Sequence, residues 1–281
     1  MKTPLILFIG MPDSGKTMAT YSLAEYLTTL KDNYDVLPDY SFVPHDGAYK
    51  EKCDEFYAKL KMNKPRIGTD QPRIAMDKTL ALSDTFLKIN VNHKGITLYD
   101  ILEIPGEKIF NPDDLSQGIS KDIISLINPQ ANDRGKIVFV LLLDLYTRGW
   151  DNDNIRTNDA VFQPFVDRLK DIMTNFRDGD KVIALLNQYD KSLNPANDWQ
   201  KWESAYSSLF EKLSEKKKWI FFDFIKVYKL PYSCGYNFRD NIDPKTNNLI
   251  LGMETIYNSD KRTMSYARNL WNEITRKWTR I

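Results

Sequence analysis

The chain has 281 residues, 42% hydrophobic and 27% charged, which suits a soluble globular fold with a sizeable core. A net charge of +1 gives no general field for nucleic acid or an anionic membrane, and the longest unbroken apolar run, Ile137 to Leu143, is too short to span a bilayer. Two isolated cysteines and two histidines argue against a disulfide framework, a structural zinc site or a histidine triad; with an N-terminus that enters a strand directly, a cytoplasmic protein is expected.

In chain order, Pro4 to Ile9 is a short apolar run of the kind buried on both faces of a parallel sheet. Ala19, Leu23, Tyr26, Leu27 and Leu30 then recur at helical spacing, predicting a helix from about Lys16. Residues 33–80 are polar and broken by prolines, with one amphipathic helical stretch from about Tyr49 to Leu60. Thr85 to Val91 and Ile96 to Ile104, joined by Asn92-His93-Lys94-Gly95, predict a β-hairpin. A helix over Asp113 to Ile127 precedes Lys136 to Leu145, the most strongly buried strand-like segment. Further along come a helix at Asp159 to Phe176, a strand at Lys181 to Leu186, a helix at Trp199 to Lys218, a strand at Lys226 to Tyr232 and a closing helix at Thr263 to Trp278. This alternation predicts an α/β fold: a three-layer arrangement around a sheet that is mostly parallel with one antiparallel strand. It is read as one domain over 1–281, with insertions at about 33–80 and 236–262.

Between the first strand and first helix, residues 10–17 read Gly-Met-Pro-Asp-Ser-Gly-Lys-Thr, a complete G-x-x-x-x-G-K-[ST] loop. Consecutive backbone N–H groups and the positive end of the helix dipole favour an anion there. Gly10 and Gly15 allow backbone paths and a phosphate approach that a side chain would block. Asp13, Ser14, Gly15, Lys16, Thr17 and Met18 are the expected phosphate-facing positions. Lys16 is expected to reach the β- and γ-phosphates and the Thr17 hydroxyl to ligate Mg²⁺. Such a loop in its strand–helix context points to a nucleoside triphosphate. Two other features are read as bland: Asp151-Asn152-Asp153-Asn154 lacks the glycine and distal glutamate of a calcium loop, and Lys216-Lys217-Lys218 suits a helix C-terminus better than a nucleic-acid patch.

Three later strand ends carry Glu103-x-x-Gly106, then Asn187-Gln188-Tyr189-Asp190, then Ser233-Cys234-Gly235. In this order the chain resembles the TRAFAC-class GTPases, whose Ras-like members carry the phosphate loop followed by D-x-x-G, N-K-x-D and S-A-K. The spelling GMPDSGKT also resembles that of bacterial GTPases encoded in multi-gene conflict systems. The resemblance implies that Asp190 accepts the guanine N1–H and exocyclic amine together, while Asn187 reaches N7 and ties its loop to the phosphate loop. It implies a Cys234 backbone N–H on guanine O6, with Ser233 bracing that loop.

Gln188 stands in place of the family lysine, so methylenes cover the base without a cation above it. Glu103 replaces the family aspartate and would hold Mg²⁺ through water, and Gly106 would present its N–H to the γ-phosphate. Glu107 follows where a water-orienting glutamine is common, which implies slow turnover or a requirement for a partner. Thr69 is favoured over Thr79 as the threonine that contacts the γ-phosphate and Mg²⁺. The implied function is a Mg²⁺-dependent GTPase cycling between GTP and GDP, read by a protein effector or activator. A catalytically weak nucleotide-binding scaffold and an ATP-using ATPase or kinase are the alternatives.

Overall fold

A computed structural model describes residues 3–10, 14–30, 34–43, 46–63, 85–106, 135–146, 155, 180–189, 192–214, 227–233 and 265–276. Strand β1 (Leu5–Gly10) runs into helix α1 (Lys16–Thr29), followed by β2 (Tyr34–Pro38) and α2 (Gly47–Asn63). The hairpin is β3 (Leu87–His93) and β4 (Ile96–Glu103); β5 (Ile137–Leu143) and β6 (Lys181–Leu186) follow. Helices α3 (Pro195–Ala205) and α4 (Ser207–Ser214), strand β7 (Val227–Pro231) and helix α5 (residues 265–275) complete the described elements. None of the described helices is long and apolar enough to cross a membrane.

The strands form one seven-stranded sheet in the order β2-β3-β4-β1-β5-β6-β7. β1 lies parallel between β4 and β5, and β5-β6-β7 continue in parallel. β3 alone runs against its neighbours, pairing antiparallel with both β2 and β4. Its connection to β4 turns at Lys94 and Gly95, whose φ values of 51° and 76° match the left-handed positions of a tight hairpin turn.

Alternate residues of β1 and β5 enter opposite cores, as the two-residue period of a strand requires. Ile6, Phe8, Val138 and Val140 pack with Leu23 and Leu27 of α1, Phe56 and Leu60 of α2, and Leu270 and Trp271 of α5. Leu7, Ile9, Phe139 and Leu141 pack with Trp202 of α3, Leu209 and Leu213 of α4, and Tyr206 between them. The sheet is thus the middle of three layers, an α/β fold with a phosphate-loop sequence at its first strand–helix turn.

Two corrections arise. The polar stretch read as irregular before the Tyr49 helix contains strand β2, a five-residue edge strand ending at Pro38, where a missing N–H is tolerated. The helix expected to begin at Trp199 begins at Pro195, with the Asn194 side chain accepting from the Asn197 N–H and proline in the first turn. It is interrupted at Tyr206, which is fully buried and donates its hydroxyl to the Asp144 carbonyl at 2.7 Å. The helices expected at 113–127 and 159–176, and the 236–262 insertion, lie outside the described residues.

Candidate functional site

Parallel pairing brings the C-terminal ends of β1, β4, β5, β6 and β7 to one edge, where ligands of open α/β sheets bind. Phe8 is in register with Glu103, Gly10 with Leu142 and Leu143 with Leu186, so the expected motifs meet there through backbone pairing.

Gly10 ends β1 in a place where a side chain would force its neighbours to shift. A Cβ would collide with Ser14 Oγ and lie 3.1 Å from the Leu142 carbonyl oxygen. Gly15 caps α1 in the left-handed conformation, φ 78°, and no side chain caps the helix there. The helix therefore begins with first-turn N–H groups that lack a side-chain acceptor, as an incoming phosphate requires. Lys16 is 6% exposed and donates from Nζ to the Gly10 carbonyl at 3.1 Å, folding its ammonium back over the loop. Ser14 is fully buried and Met18 half-buried, whereas Asp13 lies outside the described residues.

The hydroxyl of Thr17 donates to Glu103 Oε1 at 2.5 Å. Glu103 is 3% exposed, and its second oxygen, Oε2, is buried with no hydrogen-bond partner among the described residues. A hard dication takes oxygen donors. A hydroxyl beside a buried carboxylate with an oxygen to spare fits Mg²⁺. Gly106, also expected at the phosphates, is buried just beyond the end of β4. Thr69, Thr79 and Glu107 lie outside the described residues.

One participant was not foreseen. Lys52 of α2 places its ammonium 3.6 Å from Glu103 Oε1 and donates to the Thr85 carbonyl at 2.7 Å. The sequence holds only a faint sign of it: Lys52 flanks the buried stripe Tyr49, Cys53, Phe56 and Leu60 and so borders the inward face of its helix.

On the far side of the loop, Asn187 directly follows β6 and is 1% exposed. Its Nδ2 donates to the Ser14 carbonyl at 2.6 Å, joining this strand end to the phosphate loop. A Cβ on Gly15 would lie 3.0 Å from the same nitrogen, so the close approach of the two segments also depends on glycine. Gln188 adopts φ 56°, unusual for a side-chain-bearing residue, and its Oε1 is buried without a hydrogen-bond partner among the described residues. The Tyr189 N–H donates to the Tyr232 carbonyl and the Tyr232 N–H to the Leu186 carbonyl, both at 2.9 Å. Ser233 is buried beside them, while Asp190 and Cys234 lie outside the described residues. The Tyr232 hydroxyl lies 2.5 Å from Ser22 Oγ and donates to the Ala19 carbonyl at 3.2 Å, both on α1.

The turn after β6 is held from behind. Tyr189 donates its hydroxyl to the Pro195 carbonyl at 3.0 Å and packs edge-on against Trp199. Buried Asp198 accepts from the Ser192 hydroxyl at 2.6 Å and from the Tyr146 hydroxyl at 3.1 Å. Burial, and then the Asp198 charge, push the Tyr189 phenol above its ordinary pKa.

No family model and no curated protein matches the chain. Among solved structures, the signal recognition particle receptor SRb-GTP/SRX complex from Chaetomium thermophilum is 13% identical with a TM-score of 0.41, the match covering 83% of this chain and 92% of that one. A small COPII coat GTPase SAR1 from Encephalitozoon cuniculi in complex with GDP is 12% identical with a TM-score of 0.37, over 96% and 84% of the two chains. A probable GTP-binding protein engB is 14% identical with a TM-score of 0.35, over 93% and 98%. Similarity this loose assigns the chain no activity, and the residues of the site carry the functional reading.

Proposed function

We propose that the chain is a cytoplasmic single-domain GTPase that binds Mg²⁺-GTP at residues 10–17, hydrolyses it slowly to GDP, and presents the difference to a protein partner. The observation that carries this reading is the 2.6 Å bond from Asn187 to the Ser14 carbonyl. It ties a sequence suited to holding guanine to a sequence suited to holding phosphate, at one sheet edge. A triphosphate would accept from the α1 N-terminus and draw the Lys16 ammonium from the Gly10 carbonyl onto its β- and γ-oxygens. Thr17 and Glu103 would hold Mg²⁺, which neutralises phosphate charge when bound. Asp190 would accept two hydrogen bonds from guanine, so that adenine would leave a buried carboxylate unsatisfied. Gln188 would cover the base with its methylenes, and Gly106 and Thr69 would contact the γ-phosphate. Glu107 would orient the attacking water, at the cost of repulsion from the γ-phosphate, which accounts for slow turnover. Gln188 and Glu107 also favour a second reading, a nucleotide-binding scaffold with negligible hydrolysis.

Thermal unfolding in Mg²⁺ with GTP or ATP tests the base assignment, and single-turnover hydrolysis separates switch from scaffold. GTP is expected to raise the midpoint and ATP to leave it nearly unchanged. Equal protection by ATP would move the chain to the ATP-using P-loop proteins.

A further inference from the structure

Lys52 reaches the phosphate edge from α2, well away in sequence from every motif that builds it. Its ammonium and the Thr17 hydroxyl approach the same atom, Glu103 Oε1, from 3.6 Å and 2.5 Å. The two charged side chains are 11% and 3% exposed, so little water screens them. A buried carboxylate without a counter-charge is strongly unfavourable. In this arrangement the counter-charge comes from the chain itself. The Thr85 carbonyl accepts from the same ammonium at 2.7 Å and fixes where it stands. Lys16, the cation of the loop, is engaged instead with the Gly10 carbonyl.

Resting on the nucleotide reading above, we infer that Lys52 stands in for the divalent cation at this site. Its ammonium neutralises Glu103 while Mg²⁺ is absent and yields the carboxylate when Mg²⁺ arrives. A dication and an ammonium held against one carboxylate repel each other, and the dication has the larger attraction for the carboxylate and the phosphates together. Helix α2 therefore responds to the metal as well as to the nucleotide. A second consequence is that GDP remains bound comparatively well when Mg²⁺ is withdrawn, because the pocket keeps a neutralised carboxylate beside the phosphates.

The experiment measures GDP affinity by calorimetry in MgCl₂ and in EDTA for the parent, Lys52→Met and Lys52→Arg, together with unfolding midpoints of the nucleotide-free proteins with and without MgCl₂. Lys52→Met is expected to lose about tenfold more GDP affinity than the parent on moving from Mg²⁺ to EDTA, a coupling typical of linked sites. Its nucleotide-free midpoint is expected to be lower than the parent's and to rise further on adding MgCl₂. Lys52→Arg, which keeps the charge, is expected to track the parent in both measurements. An equal Mg²⁺-to-EDTA affinity ratio in parent and Lys52→Met would overturn the inference. Should Lys52→Met not fold, Lys52→Gln replaces it, retaining a donor for the Thr85 carbonyl without the charge, with the same expectation. Failure of the parent to bind GDP in both buffers would overturn the nucleotide reading, and the inference would then stand or fall on the unfolding arm alone.

Discussion

Asn187→Asp isolates the bond that joins the two halves of the site. The replacement is nearly isosteric, so it opens no cavity, but it exchanges the donating Nδ2 for an oxygen. That oxygen would face the Ser14 carbonyl across the present 2.6 Å, at a position 1% exposed to solvent. A buried carbonyl left unpaired costs about 1–3 kcal/mol, with more where the new neighbour is charged. At roughly 2–4 °C per kcal/mol for a chain of this size, a loss of about 2 kcal/mol lowers the unfolding midpoint by roughly 4–8 °C. GDP affinity is expected to fall about tenfold as the loop loses its tether, the effect of roughly 1.4 kcal/mol. The deficit should also depend on pH. The introduced carboxyl has its pKa raised in the fold, because only its protonated form can donate to the carbonyl. Its destabilisation is therefore full above the folded-state pKa and disappears below the unfolded-state value, so parent and variant converge as pH falls through the carboxylate range. Circular dichroism melts of both proteins from neutral to mildly acidic pH, with calorimetry using GDP, give the measurement. Identical midpoints and affinities at neutral pH would mean that the contact between Asn187 and Ser14 holds nothing together.

Asp190→Asn is expected to weaken GTP and raise the relative affinity for XTP, whose base carries an oxygen where guanine carries its exocyclic amine; competition binding shows whether the preference order shifts. Glu107→Gln should hydrolyse GTP as fast as the parent or faster at nearly unchanged affinity, and Glu107→Ala more slowly than both; one common slow rate under single-turnover conditions would remove Glu107 from the reaction. Lys181 is 1% exposed and donates to the carbonyls of Glu273, Ile274 and Arg276 at the end of α5, with burial lowering its pKa to about 8 against the opposing pull of Glu273. Because its folded-state pKa lies below the unfolded value, the parent should gain up to ~3 kcal/mol of stability between about pH 8 and pH 10, at 1.36 kcal/mol per pKa unit. Lys181→Met should lack that gain, and parallel pH slopes in denaturant titrations would contradict it. The neighbouring Tyr228 phenol is shifted upward by burial.

What the sequence made legible was what local chemistry encodes. An unbroken apolar run, a glycine loop and a helical stripe within thirty residues leave few choices, and β1, the loop and α1 lie where that pattern puts them. The hairpin was equally readable, since a polar, glycine-containing turn separates two β-rich runs, although Asn92 and His93, expected in that turn, belong to β3. Strand β2 was not, because Tyr34–Pro38 is short, half-exposed and ends in proline; it becomes a strand by pairing with β3. The start of α3 is marked in the sequence by the Asn194-Pro195 cap, four residues before the expected Trp199. Asn187 and Glu103 could be picked out because each ends an apolar strand. Lys52 could not, because a lysine on a polar helix reads as solvated until the fold sets it against Glu103.

Tyr232 gives the site a property that neither motif has alone. Its backbone joins the end of β6 to the turn at Tyr189, and its hydroxyl engages Ser22 and the Ala19 carbonyl on the phosphate-side helix. The turn after β6 and helix α1 are consequently mounted on a single bracket, so that movement of one is passed to the other. On the proposed reading, release of a bound nucleotide would then involve both segments together.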